Sequence, residues 1–296
     1  MTGIWTSDKA EFATKGESSD NWIANGVSID TRTLEKGDLF VALRGPNFDG
    51  HDFVQDAFLK GAVAAVVERD TEGIFLKVRD TSLALDALGR AARERTRATI
   101  IAVTGSVGKT GCKEALKFTL SHQASTSASI CNLNNHFGVP LSLSRMPEET
   151  VYGVFEIGMN HPGEISPLSC LVRPHVALIT TVELAHSKFF ENEDAIADAK
   201  AEIFDGLEEN GTVILNRDNK YFHHLSQTAR KTGVKKIVSF GIFKEADFKL
   251  LEVEPDEAGR VIKANLSGKI HSYRLGLPGS HWALNSLGVL ATISAS

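Results

Sequence analysis

TIIAVTGSVGKTGCKEAL, residues 99–116, decides the fold class. Its opening run, TIIAVTG at 99–105, is apolar and rich in β-branched residues, which suits a strand buried on both faces. Gly105 and Gly108 interrupt it, and from Lys109 to about Ser121 the apolar spacing is helical. A buried strand, a glycine turn and a helix in that order make a phosphate cradle. Glycine allows backbone angles that other residues resist, so the chain can approach an anion closely. The helix start adds free N–H groups and the positive end of its dipole. The candidate nucleotide-binding residues are therefore Thr104, Gly105, Ser106, Val107, Gly108, Lys109 and Thr110. Lys109 can reach outer phosphates and Thr110 can place its hydroxyl on Mg²⁺. The full pattern G-x-x-x-x-G-K-[ST] is not met, because Val103 stands where its first glycine falls; G-x-x-G-K-T remains.

Downstream, strand and helix patterns alternate. VYGVFEIG (151–158), HVALITTV (175–182) and TVILN (212–216) read as strands, and NEDAIADAKAEIFDGL (192–207) as a helix. This alternation predicts a mostly parallel sheet covered on both faces. After about residue 236 the sequence is strand-rich, and HWALNSLGVLATI (281–293) closes it as a helix. Upstream, VSID (27–30), DLFVAL (38–43), AVAAVV (62–67) and IFLKV (74–78) are short strands of a small α/β module, with a helix at 51–61 capped by Gly61. The helix at 81–98 carries an apolar stripe of Leu83, Leu85, Leu88 and Ala92 and reads as a connector. The expected fold is α/β: an N-terminal domain over 1–82 and a central P-loop domain over 83–296.

The chain has 296 residues and a net charge of −5, without a Lys/Arg block that would suggest a nucleic-acid surface. Its cysteines, Cys112, Cys131 and Cys170, are too scattered for a C-x-x-C metal or redox pair. No signal-peptide pattern or long apolar run is present. A cytoplasmic monomer without a membrane span or a nucleic-acid partner is expected.

Three further residues are candidates for chemistry. Glu156 ends an apolar strand, where α/β sheets bind ligands, and a carboxylate there can hold Mg²⁺ beside phosphates. His186 follows the next strand at an equivalent place. Lys200 borders the apolar face formed by Ala195, Ile196, Ala199, Ile203 and Phe204, and periodicity alone makes it a solvated helix lysine. Asp218 reads as a turn residue or a helix cap.

TGSVGKTGCKEAL, FEIGMNHPGEISPLSCLVRP, the AH of TTVELAH, AKAEIF, ILNRDN and PGSHWALNSL occur together in an order that resembles the Mur ligases. VSIDTRTLEKGDLFVALRGPNFDGHDFV is similar to the uridine-nucleotide module of that family. EIGMNHPGEI and NLNNHFGVPLSL resemble the members that join D-alanyl-D-alanine to UDP-N-acetylmuramoyl-tripeptide rather than those that add the third residue. The resemblance implies a ligase using ATP and two Mg²⁺ ions. Residues 105–110 would cradle the ATP phosphates. Thr110 and Glu156 would bind one Mg²⁺; His186, Glu156 and Lys200 would bind the other, with Lys200 carrying a CO₂-derived carbamate. Lys109, Lys200 and His186 would form the catalytic set. His281 and Asn285 would lie near the adenine. Ser28, Asp30, Thr31 and Arg32 would meet the uridine nucleotide, and Asn134 and Asn135 the sugar-peptide part. The resemblance also implies a third, C-terminal domain that this sequence lacks. Glu183, Ser187, Lys188 and Trp282 depart from the family pattern.

Overall fold

The computed structural model describes residues 3–184, 190, 192–257, 259–277, 279 and 281–296. The chain divides into two compact units, one of Met1–Arg97 with His136–Thr150 and one of Ala98–Asn135 with Val151–Ser296.

The first helix of the first unit is α1 (Ser7–Thr14), which follows a short strand at Trp5–Thr6. Strands β1 (Gly26–Ser28), β2 (Asp38–Val41), β3 (Ala64–Val67) and β4 (Phe75–Lys77) pair in parallel, in the order they occur. Glu17–Ser18 adds an antiparallel edge to β4. Helix α2 (Val54–Leu59) lies between β2 and β3, and its Val54 and Ala57 pack with Phe40, Ala42, Ala65 and Val67. Gly61, just past that helix, has φ +99°, as a left-handed C-terminal cap requires.

Helix α3 (Thr81–Arg95) starts on Asp80, whose carboxylate accepts from the Ser82 and Leu83 N–H groups. It belongs to the first unit, so the expected boundary at residue 82 falls ahead of its packing partner. That partner is a segment the chain delivers later. After α3 the chain forms β5 (Thr99–Thr104), α4 (Lys109–Ser121) and β6 (Thr126–Ala128) of the second unit, then returns to the first as α5 (Gly138–Ser144). Leu85, Leu88 and Ala92 are buried as the stripe predicts, but Leu83 is 66% exposed and Ala84 takes the inward place. The two helices approach closely at Gly89, where an added Cβ would stand 3.0 Å from the Pro140 carbonyl.

The second unit continues with β7 (Tyr152–Glu156), α6 (Ile165–Val172), β8 (Val176–Ile179), α7 (Glu193–Ala201), β9 (Thr212–Asn216), α8 (Phe222–Lys231) and β10 (Lys236–Gly241). It ends with β11 (Phe248–Asp256), β12 (Gly259–Leu266), β13 (Lys269–Leu275) and α9 (His281–Ala295). Among the described residues these strands form one sheet in the order β6-β7-β5-β8-β9-β10-β11-β12-β13. It is parallel through β11 and antiparallel beyond it. Ile101, Val103, Val154, Val176, Leu178 and Ile214 from the strands meet Cys112, Leu116 and Leu120 of α4 and Leu287 of α9 in one core. Burying each such Leu or Ile stabilises the fold by roughly 1.5–3 kcal/mol. The Cys112 thiol is pushed up to about 12 by burial, so it packs as an apolar group.

Candidate active site

The sheet order reverses beside β5. The chain goes from β5 outward to β6 and β7, then crosses to β8 on the other side. Ligands of open α/β sheets bind at the carboxyl ends of strands at such a switch point. The register puts Glu156 of β7 opposite Val103, and Ile179 of β8 opposite Thr104. The tips of three neighbouring strands therefore meet at the glycine turn.

Gly105 (φ +147°) and Gly108 (φ +85°) both adopt backbone angles that disfavour any other residue. The space is also taken: a Cβ on Gly105 would collide with Thr180 Oγ1, and one on Gly108 would lie 2.7 Å from Asn285 Nδ2. The turn is braced by the segment after β8. Thr180 Oγ1 donates to the Val107 carbonyl at 2.6 Å, and the Ser106 N–H donates to the Thr181 carbonyl at 2.8 Å. Ser106 Oγ donates to the Glu183 carbonyl and accepts from its N–H. Ser106 thus acts as a strut, which leaves the helix-start N–H groups of α4 as the donors an anion could meet.

Lys109 Nζ donates to the Gly105 carbonyl at 2.7 Å, folded back over its own turn. Burial lowers its pKa, and the nearby Glu156 carboxylate works in the opposite direction. Glu156 is 1% exposed, yet both its carboxylate oxygens and its N–H are hydrogen-bonded. Its Oε2 accepts from Thr110 Oγ1 at 2.8 Å, its Oε1 accepts from Asn134 Nδ2 at 2.7 Å, and its N–H donates to Ser129 Oγ at 3.1 Å. Lys109, Thr110, Asn134, Asn135 and Glu156 line one cavity of about 330 Å³ together with Asn160 and Glu164.

Lys200 is only 2% exposed, which overturns the solvated-lysine reading of its helix. Periodicity failed because the inward arc of α7 spans Ile196, Ala197, Ala199, Lys200 and Ala201, wider than the apolar stripe. Burial, aided by repulsion from the Lys109 cation, lowers the Lys200 pKa to about 7. His186 lies outside the described residues. Asp218 is a turn residue: its carboxylate accepts from the Ile242 and Phe243 N–H groups at 2.8 and 2.9 Å.

Thr110 and Glu156 fit Mg²⁺ in kind. They are hard oxygen donors whose side chains already converge, and Mg²⁺ keeps several waters and phosphate oxygens beside one or two protein ligands. Among the described residues no three His, Cys, Asp or Glu side chains gather into a metal cluster.

At the start of α9, a Cβ on Gly111 would collide with the Trp282 ring, so Trp282 lies against the first turn of α4. This brings His281 and Asn285 to the phosphate-turn end of the second unit. In the first unit, Asp30 Oδ1 accepts from the Arg32 N–H and Nε at 2.9 Å, and Asp30 Oδ2 from Arg32 Nη2 at 2.6 Å. The Arg32 hydrogen bond holds the Asp30 carboxyl below the usual range. Ser28 Oγ donates to the Asp30 carbonyl. Asp30, Thr31 and Arg32 border a second cavity of about 330 Å³ with Phe40, Phe48 and Phe53. Phe48 and Phe53, about half exposed, were not singled out from the sequence. Phe48 stands in the turn-rich run GPNFDG, where no core is expected, while Phe53 falls within the helix read at 51–61.

This P-loop at a switch point, with a carboxylate on the neighbouring strand tip, is that of a known family. Residues 103–293 match the Mur ligase middle domain, and residues 24–101 match the Mur ligase family, catalytic domain. The chain belongs to the Mur ligase family. It is 36% identical over 294 residues to the UDP-N-acetylmuramoyl-tripeptide--D-alanyl-D-alanine ligase of Rickettsia prowazekii, covering 98% of this chain and 65% of that protein. A crystal structure of MurF from Acinetobacter baumannii superposes with a TM-score of 0.86 at 34% identity, over 98% of this chain and 65% of that one. MurF from Thermotoga maritima in complex with ADP gives 0.72 at 27% identity, over 91% and 62%. The chain thus spans about 65% of the length of the first of these relatives. No described helix is long and apolar enough to cross a membrane.

Proposed function

We propose that this chain is part of an ATP-dependent, cytoplasmic ligase that joins D-alanyl-D-alanine to UDP-N-acetylmuramoyl-tripeptide in peptidoglycan precursor synthesis. The observation that carries this reading is the meeting of Lys109, Thr110, Asn134 and Glu156 on one cavity at the phosphate turn. The names of the similar proteins support the choice of substrates.

In the reaction, an oxygen of the tripeptide's terminal carboxylate attacks the γ-phosphorus of ATP. The bond from that phosphorus to the β–γ bridging oxygen breaks, giving ADP and an acyl phosphate. The D-alanyl-D-alanine amine then attacks the acyl carbon, loses a proton, and phosphate leaves with the C–O bonding pair. Both steps gather negative charge on oxygen, so preorganised positive charge is the main catalytic resource. Lys109 would leave the Gly105 carbonyl and meet the outer phosphates, while the α4 N-terminus holds the inner ones. Thr110 and Glu156 would hold Mg²⁺, which when bound neutralises charge on phosphate oxygens. Asn134, bonded to Glu156, and Asn135 would meet the sugar-peptide part, and His281 and Asn285 the adenine. Ser28, Asp30, Thr31 and Arg32 would bind the uridine nucleotide, with Phe48 and Phe53 offering apolar faces to its base.

A second metal would use Glu156, His186 and Lys200. A cationic lysine repels a metal. The lowered pKa of Lys200 leaves much of it as the neutral amine near pH 7, the form that can take up CO₂ as a carbamate. The carbamate oxygens would then be hard donors.

Calorimetry with an ATP analogue plus Mg²⁺ and with the UDP-tripeptide tests the reading; each should bind with one-to-one stoichiometry. No heat from the ATP analogue would overturn it. Because the chain covers 65% of its relative, a narrower reading also stands: these residues bind both nucleotides without turnover. Amide product formed by the 296-residue chain would exclude that version.

A further inference from the structure

Lys113 lies one helical turn after Lys109 on α4 and is 0% exposed. A buried ammonium needs oxygen partners, and it has three. Its Nζ donates to the Ser129 carbonyl at 2.8 Å and to the Cys131 carbonyl at 2.7 Å, and it pairs with Glu114 Oε1 at 2.8 Å. The two carbonyls begin the irregular segment that carries Asn134. Cys131 within it has φ +49°, an unusual angle for a residue with a side chain. The same segment reaches the strand tip three ways: Ser129 Oγ accepts from the Glu156 N–H, the Asn134 carbonyl accepts from the Gly158 N–H at 2.9 Å, and Asn134 Nδ2 donates to Glu156 Oε1.

We propose that Lys113 is a positioning residue: its ammonium pins the 129–131 backbone so that Asn134 and Ser129 hold the Glu156 carboxylate on the phosphate-turn cavity. It touches neither the cavity nor any reacting atom. Its effect passes through a short, fully hydrogen-bonded chain from α4 to the tip of β7. The consequence for metal binding rests on the proposed Mg²⁺ role of Glu156; the positioning itself does not.

Two measurements on the 296-residue chain test this. The first is residue-resolved amide hydrogen exchange by NMR, comparing wild type with Lys113→Met and Lys113→Gln. The Ile157 N–H donates to the Val103 carbonyl inside the sheet, between two amides that depend on the pinned segment. An alternating pattern is expected: exchange at Glu156 and Gly158 accelerates at least about tenfold in Lys113→Met, while Ile157 keeps its wild-type rate. Lys113→Gln, which retains an N–H donor for one carbonyl, should give a weaker form of the same pattern and serves if the methionine variant does not fold. Equal acceleration at all three amides, or at none, overturns the proposal. The second is the affinity for an ATP analogue with and without Mg²⁺. The gain from Mg²⁺ should fall by about tenfold in Lys113→Met, the lower range for loss of an outer-shell partner of a metal ligand. The Mg²⁺-free affinity should stay within about twofold of wild type. Equal loss in both conditions makes Lys113 merely structural and overturns the proposal. A wild type that binds no nucleotide sinks the ligase reading instead, and the exchange pattern still decides the role of Lys113.

Discussion

The two cavities are of one size, about 330 Å³ each, but they hold charge in opposite ways. Around the phosphate turn of the second unit three ionisable groups are buried: Glu156, which lines the cavity, is 1% exposed, and Lys200 and Lys113, outside its lining, are 2% and 0% exposed. Each is fixed by backbone or by a neutral partner, or shifts its pKa. In the first unit Asp30 and Arg32 hold each other at the surface, with the arginine side chain 85% exposed. Buried charge has little water to screen it and resists reorganisation, so it suits a place where charge must be stabilised as bonds change. A surface pair forms and breaks easily in water, so it suits recognition. Chemistry is thus expected in the second unit and docking in the first.

The sharpest way to break that contrast is Lys109→Ala. If the second cavity stabilises developing charge, turnover by the complete ligase should fall about 10²–10³-fold, the usual cost of one preorganised donor. Phosphate release measures it, and near-normal turnover would refute the assignment.

Next comes Lys200. In the unfolded chain its pKa is near 10.5, and in the folded, metal-free chain it is about 7. Below pH 7 both forms are protonated and the folded state carries the full cost of a buried cation. Between pH 7 and 10.5 the folded state releases its proton first, so the unfolded state binds more protons and stability rises with pH. Each unit of depression is worth about 1.4 kcal/mol, so the total is a few kcal/mol. Lys200→Met should remove this rise. Chemical denaturation at pH 7 and pH 9 tests it, and an equal gain in both proteins would contradict the burial.

Gly105→Ala should cost about 1–3 kcal/mol of stability, since φ +147° disfavours a side chain and Thr180 fills the space. The denaturation midpoint reads it. The smallest effect is Arg32→Ala. The melting temperature should not move, while affinity for the UDP-sugar falls and loses part of its salt dependence. A large loss of stability would mean that the first-unit pair is structural.

The sequence displayed local features better than assembled ones. Strand β5 and helix α4 were legible to within a residue, because a β-branched apolar run, two glycines and a helical period lie in one continuous stretch. The mostly parallel character of the sheet also followed from alternation, though its strand order did not. Lys200 was misread because burial on a 9-residue helix depends on what covers both of its sides, which periodicity does not report. That α3 goes with the first unit was not legible, because its partner lies some forty residues further on, beyond two strands and a helix of the other unit. The bonds of Glu156 to Thr110 and Asn134 join residues 46 and 22 positions apart, and spacing alone carries no trace of them.

The late arrival of α5 bears on how the polypeptide matures. Until residues 138–144 have been made, the face of α3 that carries Leu85, Gly89 and Ala92 lacks the helix that packs against it. A fragment released at Arg97 would keep that greasy seam open to water and invite self-association. Supplying residues 136–150 as a separate peptide should restore its solubility.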